Sequence, residues 1–192
     1  MLYVVSGHMR TGTSMMMKAL EAGGLDAAYQ QSRDEIKDRY ADEHYDPNVG
    51  GLYELARPMY HQPKFPRMYD GKLIKGMNLC VTRMLVMPAI RVVFMRRDDE
   101  EIRQSYDAFF GADVGITSEF QTRMDEIVKM IRNRKDVKSC HEFWYRDVVR
   151  NPLTHFETLR DAGWAIDPQK CAEIVDPKYC RFKRENLSVG VV

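Results

Sequence analysis

The chain has 192 residues, of which 44% are hydrophobic and 30% are charged, and its formal net charge is +1. This length and composition predict one globular domain covering residues 1–192, with enough apolar side chains for a substantial core. A net charge this small creates no overall field that would favour nucleic acid or an acidic membrane, so any anion must be bound by local basic residues. No apolar run approaches the roughly 18 residues that cross a bilayer, which argues against a transmembrane helix.

The cysteines and the N-terminus predict a cytoplasmic protein. Cys80, Cys140, Cys171 and Cys180 lie far apart, form no C-x-x-C pair and have no histidine doublet nearby of the kind that binds zinc. We expect them to be reduced and mostly buried thiols. The chain begins with an apolar, strand-like run rather than with a basic segment and a cleavage site, so no signal peptide is recognised.

Strands and helices are predicted to alternate along the chain. Apolar runs predict strands over residues 2–6 and 91–95, and shorter strands are expected over residues 72–75 and 138–143. Helices are predicted over residues 13–22, 78–86, 102–110, 118–134 and 152–162. The tyrosine-rich, proline-containing residues 26–70 are expected to form short helices and loops over one face. This alternation predicts an α/β fold of the three-layer, P-loop NTPase-like type, with a mainly parallel central sheet and helices on both faces.

Ligands of such folds bind at the carboxyl ends of the strands, and the loop after the first strand has the chemistry to bind an anion. Residues 7–14, GHMRTGTS, follow the G-x-x-x-x-G-x-S spacing of a phosphate-binding loop, and we call them the glycine loop. Its glycines allow the backbone to approach an anion, and the helix that follows offers free N–H groups. Arg10 adds a guanidinium suited to phosphate. The hydroxyl donors of the loop are Thr11, Thr13 and Ser14.

The glycine loop lacks two features of loops that bind magnesium nucleotides. Thr13 replaces the usual lysine, and the strand over residues 91–95 is followed by Arg96 and Arg97 instead of the carboxylate that helps to hold the metal. We interpret the loop as an anion site that is served by protein cations. The alternative is a glycine-rich turn that only packs a helix on a strand.

A second anion site is predicted where the strand over residues 91–95 ends. Ser105 follows Arg97 by eight residues, on the apolar side of the next helix with Ile102 and Tyr106. From there its hydroxyl can turn back and share an anion with Arg97. The alternative is that Arg97 pairs with the acidic first turn of that helix, residues 98–101.

Taken together, the two motifs resemble the PAPS-dependent sulfotransferase family in its bacterial form. Weaker similarity extends over NVGGLYE (residues 48–54), WYRDVVRNP (144–152) and DPKYCRF (176–182). The chain departs from the family in its short length, in Met9 where a proline is usual, and in the absence of a Lys-Thr-His segment. The resemblance implies that 3′-phosphoadenosine 5′-phosphosulfate (PAPS) gives its sulfuryl group to a hydroxyl or amine of a small molecule or peptide. The remaining product is 3′-phosphoadenosine 5′-phosphate (PAP), and no metal is expected.

The resemblance also implies roles for individual residues. The 5′-phosphosulfate would be bound by Arg10, Thr11, Gly12, Thr13 and Ser14, and the 3′-phosphate by Arg97 and Ser105. Lys75, at the end of its strand, would stabilise the bridging oxygen as the donor bond breaks; a solvated lysine is the alternative.

The acceptor also needs a base. We expect Glu54 or His61, with His44 and Asp46 as further candidates. The basic residues Arg181, Lys183 and Arg184 are interpreted either as a cover for the 3′-phosphate or as a solvated tail. A P-loop small-molecule or nucleoside kinase and a non-catalytic PAP-binding or nucleotide-binding module are the rival functions.

Overall fold

A computed structural model describes residues 1–34, 51–113 and 115–180. Within these residues, five strands form one sheet in which every pairing is parallel. The order of the strands across the sheet is β2-β3-β1-β4-β5. In chain order they are β1 (Leu2–Gly7), β2 (Asp26–Ala27), β3 (Lys72–Lys75), β4 (Ile90–Arg96) and β5 (Val137–Trp144). The predicted α/β fold with a parallel sheet is therefore confirmed.

The helices surround this sheet. They are α1 (Thr13–Ala22), α2 (Gln31–Asp34), α3 (Phe65–Met68), α4 (Leu79–Arg83), α5 (Asp99–Phe110), α6 (Phe120–Arg132), α7 (Tyr145–Arg150), α8 (Pro152–Asp161) and α9 (Pro168–Glu173), with 3₁₀ helices at Arg57–His61 and Pro177–Tyr179. In the part of the chain that the structure describes, no helix is long and apolar enough to cross a membrane.

Several short elements differ from the sequence-based prediction, among them the unpredicted helix α7. Helix α4 ends at Arg83 and not at residue 86, because the chain turns to an extended conformation at Met84. Strand β2 has only two residues and carries no apolar run that would announce it. Helix α9 has six residues, too few for a helical period to be visible, although Asp167 caps its first N–H groups.

Strand β1 is buried along its whole length, and its apolar side chains pack on both faces of the sheet. Leu2 and Val4 pack in a cluster that also holds the apolar residues of α6, and Tyr3 and Val5 pack in a second cluster with those of α1 and α8. Successive side chains of a strand point to opposite faces, so the continuous apolar run fills two layers. Because all the strands run in parallel, their carboxyl ends lie along one edge of the sheet.

The loops after β1, β3 and β4 meet at that carboxyl edge. Gly7 pairs with Met95 in the register of β1 and β4, and its φ of 141° is one that a side chain disfavours. A Cβ at Gly7 would lie 2.6 Å from the carbonyl oxygen of Met95. The loop after β3 is fixed on the other side, where the Gly76 N–H donates to the carbonyl oxygen of Val5 at 2.9 Å. The beginning of the glycine loop is thus held between two neighbouring strands.

The cysteines are all free thiols. Cys171 and Cys180 are buried, and Cys80 and Cys140 are half-buried. Burial raises the pKa of Cys140 to about 11 and that of Cys171 to about 12. These two thiols are therefore protonated at neutral pH and are poor nucleophiles.

A buried ion pair joins the end of α4 to the start of β5. The Arg134 guanidinium contacts the Asp136 carboxylate at 2.6 and 2.9 Å and also donates to main-chain carbonyl oxygens of residues 81–85. Burial opposes ionisation of Asp136, but the bonds from Arg134 and from the Met87 N–H outweigh it and lower the pKa of this carboxyl. The pair holds the chain segment that follows β3.

Arg134→Ala should lower the free energy of unfolding by about 3–5 kcal/mol, because it leaves the Asp136 carboxylate buried without its partner. The matched control is Arg123→Ala, which removes the exposed pair with Glu119 and should cost less than about 1 kcal/mol. Urea unfolding at pH 7 measures both.

The wild type should also lose stability in acid through this site. Because folding lowers the pKa of Asp136, the stability that this carboxylate contributes is present above the unfolded pKa of about 4 and is lost as the pH falls through the folded pKa.

A similar loss of unfolding free energy for Arg134→Ala and Arg123→Ala would contradict the interpretation of Arg134 and Asp136 as a buried pair.

Candidate functional site

The glycine loop turns sharply between β1 and α1. Arg10 has a φ of 66° and Gly12 a φ of 92°, both in the left-handed region. The Thr11 hydroxyl donates to the carbonyl oxygen of His8 at 2.8 Å and closes the turn. A Cβ at Gly12 would lie 2.4 Å from a ring carbon of Tyr145, so both the backbone conformation and the packing of the ring require glycine.

The N-terminus of α1 has the chemistry of an anion site. Gly12 occupies the N-cap position, no side chain caps the helix, and its first turn holds no acidic residue. The first N–H groups of a helix have no helical carbonyl to donate to, and they carry a partial positive charge. Thr13 and Ser14 add buried hydroxyls at the same place. The ten-residue helix therefore presents donors without a competing carboxylate.

Arg10 connects the two predicted anion motifs. Its Nε donates to the Oγ of Ser105 at 3.0 Å, and its guanidinium carbon lies 4.7 Å from the centre of the Phe109 ring. Arg97 donates from Nη1 to the main-chain carbonyl oxygen of Arg10 at 3.0 Å. The structure thus brings together the three residues that were predicted from two separate stretches of sequence.

Arg97 also makes the ion pair that was the alternative prediction. Its Nε donates to the Glu101 carboxylate at 3.0 Å, and Arg146 contacts the other oxygen of Glu101 at 2.5 Å. The Arg97 guanidinium lies over the Tyr145 ring, 4.5 Å from its centre. The acidic first turn of α5 is therefore one partner of Arg97, and the carbonyl of the glycine loop is another.

We call Arg10, Arg97, Arg146 and Glu101 the arginine cluster. These four side chains comprise three guanidiniums and one carboxylate, so their summed formal charge is +2 (3 − 1 = 2). Arg97 and Glu101 are nearly inaccessible, and there the Coulomb interaction with an anion is screened less than in water. Taken by themselves, these four side chains therefore carry a net positive charge.

Lys75 lies inside the site and is not a solvated strand end. Only 5% of the residue is exposed. Its Nζ donates to the Oγ of Ser14 at 3.1 Å and to the carbonyl oxygen of Leu52 at 2.7 Å. Because Leu73 belongs to the apolar layer of α1, the alternation of β3 directs Lys75 to the same face. The ammonium is thus positioned at the N-terminus of α1.

The two candidate bases lie in different surroundings. Glu54 is half-buried and pairs through its backbone with Lys75 in an isolated parallel bridge. The residue before it, Tyr53, has a φ of 58°, and its hydroxyl donates to Glu21 at 2.8 Å. His61 ends a 3₁₀ helix and is exposed. The structure places the backbone of Glu54 beside that of Lys75, and the catalytic roles of Glu54 and His61 stay predictions.

Five other predicted residues lie outside the described part of the chain. They are His44, Asp46, Arg181, Lys183 and Arg184.

Tyr145 and Arg146 are site residues that were not predicted from the sequence. Tyr145 contacts both Gly12 and Arg97, and Arg146 contacts Glu101. Burial raises the pKa of the Tyr145 hydroxyl, which is therefore neutral at pH 7. The signal was present, because both residues directly follow the predicted strand over residues 138–143 and so had to lie at the carboxyl edge of the sheet.

His8 is a further titratable residue that was not predicted. Its ring lies edge-on to Phe120, with 4.9 Å between the ring centres, and its Nδ1 lies 3.0 Å from the carbonyl oxygen of Met9. Burial lowers the pKa of His8, although the contact with Met9 opposes this effect. The glycine loop therefore carries a neutral imidazole at pH 7.

Comparison with known proteins does not assign this chain to a family. The chain matches none of the models of known protein families, and no curated protein matches it in sequence. Within residues 1–34, 51–113 and 115–180, no group of three or more His, Cys, Asp or Glu side chains is arranged to hold a metal ion.

Glu101→Gln should lower the free energy of unfolding by about 3 kcal/mol, because it removes the buried carboxylate charge that pairs with Arg97 and Arg146. The neighbouring Glu100 offers a matched control, since it pairs with Arg103 at a partly exposed position. Glu100→Gln should cost less than about 1 kcal/mol. Urea unfolding at pH 7 compares the two variants, and equal losses would show that Glu101 does not hold the arginine cluster together.

Proposed function

We propose that the protein is a PAPS-dependent sulfotransferase with a P-loop type of fold. It transfers the sulfuryl group of PAPS to a hydroxyl or amine of a small molecule or peptide. The observation that carries the proposal is the contact between the Lys75 ammonium and the Ser14 hydroxyl at the N-terminus of α1. In magnesium-dependent P-loop enzymes, the hydroxyl at this point of the loop binds the metal together with a carboxylate. Here the Lys75 ammonium donates a hydrogen bond to that hydroxyl instead.

The end of β4 supports the same conclusion. Arg96 pairs with Asp125 of α6 at 2.7 Å and with Glu142 of β5 at 3.2 Å, so it contributes to packing. Arg97, the next residue, turns to the glycine loop. A guanidinium thus lies where a metal-dependent enzyme needs a carboxylate. A sulfuryl group in transit carries less negative charge than a phosphoryl group, and fixed protein cations suffice to neutralise it.

The two anionic ends of PAPS fit two parts of the site. The N–H groups and hydroxyls at the start of α1 suit the 5′-phosphosulfate, with Arg10 beside them. Ser105 and Arg97 suit the 3′-phosphate, because both contact Arg10 and the cluster retains positive charge. PAPS binding would then replace the contact between Arg10 and Ser105 with contacts to phosphate oxygens.

The transfer itself is a displacement at sulfur. The acceptor oxygen or nitrogen forms a bond to sulfur while the bond from sulfur to the bridging oxygen breaks, and the bonding electrons remain on that oxygen. Lys75 donates a hydrogen bond to the developing charge, which a buried ammonium does effectively. The acceptor proton passes to a base, and Glu54 is the better placed candidate because its backbone pairs with Lys75. The products are a sulfate ester or sulfamate and PAP.

A magnesium-dependent kinase is the second candidate, favoured by the G-x-x-x-x-G-x-S spacing of the glycine loop. A non-catalytic module that binds PAP is the third, and it would use the same arginine cluster. Turnover of PAPS on an acceptor separates the first function from the third.

PAP should bind more tightly than ADP, because only PAP carries the 3′-phosphate that Ser105 and Arg97 would hold. Ser105→Ala should weaken PAP binding by roughly tenfold and leave ADP binding nearly unchanged, as expected for one hydrogen bond to a charged group. Arg97→Ala should weaken PAP by about 2–4 kcal/mol, but it also removes a partner of buried Glu101, so Ser105 gives the cleaner measurement.

Calorimetric titration with each nucleotide measures these affinities, and Ser139→Ala on β5 is the control. The assignment of the 3′-phosphate fails if Ser105→Ala and the wild type bind PAP equally.

Binding of PAP should be insensitive to EDTA, because the lysine and arginine cations replace a metal at the glycine loop. The measurement is the same titration with about 5 mM EDTA and with about 5 mM magnesium chloride, concentrations on the order of those that remove or saturate nucleotide-bound magnesium. ATP titrated under both conditions is the comparison. A strict need for magnesium, with ATP preferred to PAP, would favour the kinase.

A further inference from the structure

Asn78 has a backbone conformation that its residue type rarely adopts. Its φ of 38° and ψ of −116° lie outside the regions favoured by residues with a Cβ. Such strain is destabilising and persists only where the surroundings impose it. Strained residues of this kind cluster at sites that bind ligands.

The side chain of Asn78 does not stabilise the fold in the usual way. The residue precedes α4 at the N-cap position, where asparagine normally accepts a bond from a helix N–H, but here it makes no such bond. Its Oδ1 is buried and has no hydrogen-bond partner among the described residues. An unsatisfied buried acceptor is destabilising, because it has lost its bonds to water without replacing them. The backbone conformation of Asn78 and its unpartnered Oδ1 therefore both destabilise the fold.

Asn78 is held against the glycine loop. Its N–H donates to the carbonyl oxygen of Gly7, the first residue of that loop, at 3.1 Å. It follows Lys75 by three residues at the same edge of the sheet. The residue is half-buried and its Oδ1 is buried. The –NH₂ group at the other end of the carboxamide can donate two hydrogen bonds.

We propose that Asn78 binds the sulfuryl group of PAPS, donating a hydrogen bond from Nδ2 to a sulfuryl oxygen. This inference rests on the proposed function. The glycine loop holds the phosphate part of an anion, and the transferable group extends beyond it toward the strand end that carries Lys75 and Asn78. A neutral amide donor suits a group of low charge, and it complements the ammonium that faces the bridging oxygen. Asn78 then distinguishes PAPS from PAP, which lacks the sulfuryl group.

Paired titrations of PAPS and PAP test the assignment. Asn78→Ala should weaken PAPS binding by roughly tenfold, as for one hydrogen bond to a charged group, while PAP binding changes less than about twofold. Asn78→Gly should give the same result without backbone strain, because glycine adopts a positive φ freely.

Ser6→Ala is the matched control for these titrations. The Ser6 hydroxyl also lacks a hydrogen-bond partner within the described residues and also adjoins Gly7, but it is completely buried. Its removal should leave both affinities unchanged.

The outcomes separate this inference from the function on which it rests. If the wild type binds PAPS and PAP but both Asn78 variants keep the wild-type ratio of the two affinities, Asn78 does not contact the sulfuryl group. That contact is also excluded if Asn78→Gly weakens both ligands equally, which would indicate a structural role. A wild type that binds neither PAPS nor PAP overturns the proposed function itself.

Discussion

The buried carboxylate of Glu101 organises the site, because it holds guanidiniums from two different elements. Arg97 comes from the end of β4 and Arg146 from α7, and each bonds one oxygen of this carboxylate. Without that charge, the nearly inaccessible guanidinium of Arg97 would have no counter-ion in the cluster. With it, Arg97 can reach the carbonyl oxygen of Arg10 and fix the turn of the glycine loop. Glu101 therefore stabilises both the turn of the glycine loop and the positive charge beside it.

The contact between Tyr145 and Gly12 links this charge to the packing of the loop. The aromatic ring lies against the glycine on one side and under the Arg97 guanidinium on the other. A side chain at position 12 would displace the ring, and the ring in turn supports the cation. The left-handed turn, the helix N-terminus and the arginine cluster therefore form one unit that a single substitution would disturb as a whole. Lys75 contacts this unit at the N-terminus of α1, where its ammonium donates to the Ser14 hydroxyl.

Much of the sheet could be predicted from sequence, since β1, β3 and β4 are short strand-like segments whose ends fall within one residue of the prediction. Parallel strands also bring their carboxyl ends together, which is why the glycine loop and the end of β4 were expected to lie at one edge of the sheet. Tyr145 and Arg146 follow a predicted strand, but their contacts with Gly12 and Glu101 depend on tertiary packing that leaves no periodic signal. Arg97 makes the ion pair with the acidic first turn of α5 that was one of its two predicted alternatives, and an anion shared with Ser105 stays a prediction.

The position of β1 in the sheet has a consequence for how the chain folds. This first strand is also the central one, with Tyr3 aligned to Leu73 on one side and to Arg91 on the other. Its partners therefore follow it by 70 and 88 positions (73 − 3 and 91 − 3). During synthesis, β1 leaves the ribosome with both of its edges unpaired until these segments emerge. Such distant pairings require large loops to close first, so assembly of the sheet is expected to be slow compared with that of a helical bundle of the same size.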